Sequence, residues 1–248
     1  MEHSEKVTID ASGVYYRELN ARLREVSNNG TRKIEIRNVC GQRYIGTNLS
    51  KPVEIDIHGT PGNDLGAFMD GTRITIYGNA QDGCGNTMNK GEIIIHGHAG
   101  DIVGLSARGG RIFVRDSVGY RAGIHMKEYL DKRPVLVIGG SAQDFLGEYM
   151  AGGILVVLGI NGRNGSRAKF IGTGMHGGVI YLRGSVESHQ LGKEVGVSEL
   201  DDKDRQVLAE IVEEYAAHFG CDAKEILKQH FIKLTPRHLR PYGRIYAH

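Results

Sequence analysis

A column of seven glycines limits what this chain can fold into more than any other feature. They are Gly46, Gly66, Gly85, Gly104, Gly123, Gly147 and Gly172, spaced by 20, 19, 19, 19, 24 and 25 residues. Three residues past them lie Leu49, Met69, Met88, Ala107, Met126, Met150 and Met175, so five of the six methionines share one place in the repeat. Further along each unit come apolar pairs two apart: Ile55 and Ile57, Ile74 and Ile76, Ile93 and Ile95, Ile112 and Val114, Val135 and Val137, Leu155 and Val157, Ile180 and Leu182. Ile34 and Ile36 extend the series upstream. A glycine usually closes the unit, with Asp116 in that place in the fourth.

Each unit therefore has one period-2 strand, several glycines and no stretch of ten helical residues. Such a unit cannot bury its own apolar face and must stack on its neighbours. The expected fold is all-β: a right-handed parallel β-helix of about seven coils, the hand following from the crossover rule for parallel strands. At ~4.8 Å per coil the prism would be roughly 34 Å long. The methionines then form an inward ladder of adaptable side chains, and the glycines mark corners that need positive φ or close backbone approach. Asn63, Asp82, Asp101 and Asp144 sit three residues before an anchor. At corners such side chains accept backbone N–H groups. Like charges in neighbouring coils repel, so each Asp is expected to have its own donors.

Residues 172–177, GTGMHG, spell the dinucleotide-binding pattern G-x-G-x-x-G. That pattern works when the glycines open a helix whose N-terminus faces a pyrophosphate. Here they lead into GVIYLRG, a strand-like run. Gly172 is also the seventh member of the glycine column, so the segment reads as a solenoid corner and not as a nucleotide site.

A solenoid needs covered ends. YYRELNARLREVSNNG predicts an N-terminal capping helix with Tyr15, Leu19, Leu23 and Val26 on one face and Gly30 as its stop. Near residue 192 the pattern changes. Ser198 is placed to cap a helix with the stripe Leu208, Ile211, Val212, Tyr215 and Phe219, ended by Gly220. Asp222 opens a second short helix, and FIKLTPRHLRPYGRIYAH reads as an extended tail. The divisions are residues 1–39, a capping helix and first strand; 40–191, the β-helix; and 192–248, C-terminal helices and tail. Two units carry insertions, near MKEYLDKR (126–133) and NGRNGSRA (161–168), and loops of this kind are where binding functions gather.

Composition excludes several classes. A formal charge of +2 argues against nucleic acid or an anionic membrane as partner. Apolar runs such as ILVVLGI are too short to span a bilayer. The polar MEHSEKVTID start predicts no signal peptide, so the expected location is cytoplasmic. Cys40, Cys84 and Cys221 are too dispersed for a zinc or iron–sulfur site on this chain alone. No P-loop and no G-x-S-x-G elbow occurs. His58, Tyr77 and His96 fall at equivalent strand ends and read as a stacked surface ladder; His125 and His176 read as turn residues. The sequence thus nominates no catalytic, cofactor-binding or metal-binding residue. The basic and aromatic Arg240, Tyr242, Arg244 and Tyr246 are the expected partner contacts.

The runs HGTPGNDLGAFMDG (58–71), GNAQDGCGNTMNKGEIIIHGHAGD (78–101), GYRAGIHMKEY (119–129), DFLGEYMAGG (144–153) and GTGMHGGVIYLRG (172–184) resemble the GXGXG-repeat family. That family includes the C-terminal domain of the glutamate synthase large subunit, the stand-alone third subunit of archaeal-type glutamate synthases, and one of the subunits of formylmethanofuran dehydrogenase. The C-terminal segment with FIKLTPRHLRPYGRIY looks most like the stand-alone glutamate synthase subunit. The resemblance implies a non-catalytic structural piece that holds a glutamine amidotransferase-type subunit and an FMN/iron–sulfur synthase subunit in register. Cofactors would then lie on the partners: Glu2 stands where the amidotransferase needs a cysteine, and the cluster's closely spaced cysteines are missing. A formylmethanofuran dehydrogenase-type subunit, an N-methylglutamate synthase-type subunit and an independent homo-oligomer are the alternatives.

Overall fold

The computed structural model describes residues 6–160 and 167–238. Its elements are β1 (Val7–Asp10), α1 (Tyr16–Asn28), β2 (Lys33–Cys40), β3 (Glu54–Thr60), β4 (Asp70–Tyr77), β5 (Lys90–Ile95), β6 (Arg111–Val114), β7 (Val135–Ile138), β8 (Ala151–Val157), β9 (Gly177–Arg183), a 3-10 turn Ser188–Gln190, β10 (Val195–Glu199), α2 (Asp202–Phe219), α3 (Ala223–Leu227) and β11 (Phe231–Pro236). Strands β1 to β9 stack in chain order with every pairing parallel; β11 then pairs antiparallel with β9, and β10 pairs antiparallel with β11 at the edge of the sheet. This is the parallel β-solenoid that the repeat predicts. Its seven glycine corners enclose about six full turns.

Register follows the repeat. One inward ladder runs Ile34, Ile55, Ile74, Ile93, Ile112, Leu136, Leu155 and Ile180. A second runs Ile36, Ile57, Ile76, Ile95, Val114, Ile138, Val157 and Leu182. All sixteen are buried, as are the five methionines of the repeat. The fifth unit differs from the spacing argument. Leu136 and Ile138, not Val135 and Val137, face inward there. VLVI is buried on both faces, so alternation carries no phase, and the preceding insertion breaks the count.

The reason for double burial is a second core. Ile94, Phe113, Val137, Val156 and Tyr181 form an outer ladder covered by Leu208, Ile211, Val212 and Tyr215 of α2. Earlier coils carry Glu35, Asp56 and Thr75 in that outer row, outside the apolar cluster that α2 completes. The cap of α2 also differs from expectation. Asp201, not Ser198, is its N-cap: the Asp201 carboxylate accepts the Asp204 amide, while Asp204 returns the bond to the Asp201 amide. Ser198 is a strand residue of β10 paired with Lys233. Gly220 ends the helix in the left-handed region, and Asp222 caps α3. The segment read as a tail is structural in its first part, because β11 pairs with both β9 and β10. At the other end Leu19 and Leu23 of α1 are buried, but Tyr15 precedes the helix and is 56% exposed.

Candidate functional site

The corners are the most repeated polar structure, and their backbone is unusual. In each, the residue two before the anchor glycine, the glycine and the residue two after it all have positive φ, as at Ile102, Gly104 and Ser106. Alternating left-handed residues point successive amides in opposite directions along the solenoid. Gly104 N–H donates back to the Cys84 carbonyl, while those of Ile102 and Ser106 donate forward to Tyr120 and Ile124. Stacked coils therefore satisfy one another at the corner as strands do along the sheet.

Side chains extend the scheme. Asp82 accepts the amide of Asp101, Asp101 that of Tyr120, and Asp144 that of Lys169, each at 2.8 Å. Each donor is the same corner position one coil later, the separate donor that the acidic row was expected to need. His58, Tyr77 and His96 stack at 4.9 and 5.2 Å, and Phe219 meets His96 edge-on. His125 stacks on Tyr149, and His176 lies beside the Gly174 carbonyl. The GTGMHG segment has no amide to offer a phosphate. Gly172 donates to Leu146, Thr173 to Phe170, Gly174 to Glu194, Met175 to Gly172, and both His176 and Gly177 to Met150. The segment leads directly into a strand, β9.

Two ionic clusters outside the corners are candidates for chemistry, and the sequence marks neither as a cluster. Under α2, Arg73 holds Glu92 at 2.9 Å and Arg111 holds Glu214 at 3.1 Å. His218 Nε2 lies 3.3 Å from Glu92, out of hydrogen-bond alignment. The ligand atoms of Glu92, Glu214 and His218 converge within 4.8 Å, as a metal site would require. The charges argue otherwise. Burial raises the Glu214 pKa and lowers that of His218, and the two arginines already balance the two carboxylates. A divalent cation would leave a partly covered interface at net +2. The cluster fits an ion-pair fastening of α2 to the solenoid, with no signal in the sequence because Glu92 and His218 are 126 residues apart.

The second cluster surrounds Glu35, 8% exposed in its side chain and contacted by Lys6, Arg37 and His58. A shallow pocket beside it is lined by Arg37, Asn38, His58 and Gly59. Hydrogen bonds from Lys6 and Arg37 hold the Glu35 carboxyl well below the usual range, at about 2. A depressed folded-state pKa gives stability that is present above the ordinary carboxylate pKa and lost as pH falls through the folded value. Glu35→Gln is expected to lower the Tm at neutral pH. The gap to the parent should close as pH falls from about 4.5 to about 2, read by thermal unfolding across that range.

Of the other nominated places, Cys40, Cys84 and Cys221 are free thiols, with burial pushing Cys84 up to about 12. The first insertion is tied down by Glu128–Arg133 and Lys132–Asp70 pairs. Residues 161–166 of the second, and Arg240, Tyr242, Arg244 and Tyr246, lie outside the described residues. Among the described residues no helix is long and apolar enough to cross a membrane.

Comparison with known proteins gives three findings. The family model described as GXGXG motif matches residues 17–239. An uncharacterized protein of Methanocaldococcus jannaschii is 48% identical over 257 residues, covering all of this chain and 98% of that one. The chain's fold is similar to that of a chain in the crystal structure of the formyltransferase/hydrolase complex of Methylorubrum extorquens with methylofuran, with a TM-score of 0.63 at 18% identity. That match covers 94% of this chain and the whole of the other.

Proposed function

Because this chain belongs to the GXGXG motif family, we propose that it is a structural subunit of a multi-subunit enzyme complex and carries no catalytic centre of its own. The observation that carries this reading is how the polar corner groups are used. Asp82, Asp101 and Asp144 are each taken up by an amide of the next coil. Side chains so engaged hold a scaffold together and are poorly placed for acid–base or ligand chemistry. The solved structure with the same fold is itself part of a multi-chain complex.

Two assemblies fit. One is a glutamate synthase-type complex, making glutamate from glutamine and 2-oxoglutarate, with an amidotransferase-type chain and an FMN/iron–sulfur chain as partners. The C-terminal segment that resembles the stand-alone glutamate synthase subunit favours it. The other is a formyl-transfer complex of the formylmethanofuran dehydrogenase type, favoured by the origin of the solved structure with this fold. Either places the chain in the cytoplasm with its thiols reduced.

Affinity purification of the full chain from its own cells, with partners identified by mass spectrometry, tests the reading. Co-purifying amidotransferase-type and yellow-brown FMN/iron–sulfur chains would support the first assembly. Formyltransferase- or hydrolase-type chains would support the second. A colourless chain that emerges alone would overturn the subunit reading.

A further inference from the structure

The capped first coil carries more positive charge than capping requires. Residues 15–53 hold eight Lys and Arg against three Glu, in a chain whose overall excess is two. Closing the solenoid takes only the buried side of α1, with Leu19 and Leu23. The two exposed flanks of the helix then differ. On one, Glu18, Arg22 and Glu25 follow at spacings of four and three, so the signs alternate as on an ordinary solvated helix. On the other, Arg17, Ala21, Arg24 and Asn28 follow at spacings of four, three and four, with no carboxylate among them.

The loop of the first coil adds to that second flank. The buried Asn20 amide donates to the carbonyls of Tyr16 at 2.7 Å and Arg43 at 2.8 Å, which fixes Arg43 beside α1. At the far end Lys51 Nζ reaches the Asn28 carbonyl at 3.5 Å. Tyr16 packs on Tyr44 at 5.8 Å, and its hydroxyl accepts a hydrogen bond from Arg17 Nε at 3.2 Å. These contacts join helix and loop into one strip that runs the length of α1, about 18 Å. Arg17, Arg24, Arg43 and Lys51 are all exposed along it. Among the described residues none of the four is in an ion pair. Like charges held side by side repel one another, and an oppositely charged partner removes that cost. Arg17 and Arg24 lie about 10 Å apart along the helix, and guanidinium groups favour paired contacts to carboxylates.

Resting on the proposed subunit role, we propose that this strip docks an acidic segment of a partner chain, with carboxylates about 10 Å apart to meet Arg17 and Arg24 and others over Arg43 and Lys51. A second copy does not fit through the same strip, because a two-fold contact would set arginine against arginine. Nucleic acid is a poorer fit as well. The strip is one helix long, and outside residues 15–53 the chain has more acidic than basic residues, whereas a phosphate backbone calls for an extended basic face.

The test uses the native complex and the full chain. A zero-length carbodiimide reagent joins a Lys amine to a carboxylate in contact with it, so Lys51 should cross-link to an Asp or Glu of a partner chain. Arg17→Glu with Arg24→Glu should weaken assembly about ten-fold or more, with the Tm near that of the parent because both side chains are exposed. Arg17→Lys with Arg24→Lys keeps the charge and should stay within a few-fold of the parent. Added salt should weaken assembly of the parent and narrow its gap to the Glu variant. Parent-like assembly of the folded Glu variant at low salt would overturn the docking strip and leave the subunit reading standing. A Lys51 cross-link only to a second copy, or nucleic acid that co-purifies with the parent and is lost from the Glu variant, would also overturn it. Absence of any complex on purification would overturn both.

Discussion

Gly91→Ala is expected to destabilise the protein by about 2–6 kcal/mol, the sum of backbone strain of about 1–3 kcal/mol and overpacking of about 1–3 kcal/mol. Gly91 opens a strand directly behind the methionine corner with φ of 106°. A Cβ there would sit 2.1 Å from the Thr72 carbonyl oxygen of the preceding coil. That oxygen lies in the bulge between Asp70 and Arg73, where ladder pairs on either side and the Thr72 hydroxyl, which donates to the Lys51 carbonyl, hold the backbone. Gly71, one coil earlier, is the internal control. Its φ is 113°, but an added Cβ meets nothing within 4 Å. Gly71→Ala should therefore show the strain alone, about 1–3 kcal/mol. Urea unfolding separates the two variants. Both midpoints fall, Gly91→Ala further, with unchanged m-values. Equal losses would mean that coil-to-coil contact is looser than described.

The second large effect is at the outer core. Tyr215 of α2 is 1% exposed, donates its hydroxyl to the Arg115 carbonyl at 3.0 Å and packs on Phe219. Its hydroxyl fills the space above Gly139, which has no side chain to block it. Tyr215→Ala should cost about 3–5 kcal/mol through the cavity it leaves, and Tyr215→Phe about 1 kcal/mol for the lost hydrogen bond. The alanine variant should also raise amide exchange across α2 and expose the Phe113–Val137–Val156 ladder to a hydrophobic dye. Unchanged exchange in α2 would show that the helix is held by other contacts, with the Glu92–Glu214–His218 cluster the first to substitute.

These two sites mark where sequence reasoning reached and where it stopped. The inner face was legible because a stack repeats one environment. Equivalent positions meet equivalent neighbours, so the Ile pairs, the methionines and the positive-φ glycines recur in step. The outer face was not, because its covering comes from α2, far along the chain. The apolar runs at 93–95, 112–114, 135–138 and 154–158 already hinted at burial on both faces. That same burial removed the alternation that would have placed Val135 and Val137 correctly. The sequence offers Ser198 as a cap because VGVSE carries too little alternation to mark β10, and its partner β11 lies in a proline-bearing segment that reads as a tail. The corner aspartates were read rightly as amide acceptors.

The central claim is that the chain is a scaffold without chemistry of its own, and one measurement bears on it most directly. The native complex would be resolved into its chains, and the overall reaction and its partial reactions assayed with and without this one. The scaffold account predicts no turnover by this chain alone, partial reactions retained by the partners, and an overall reaction that returns only when it is added back. Turnover of any partial reaction by the purified chain alone would contradict it.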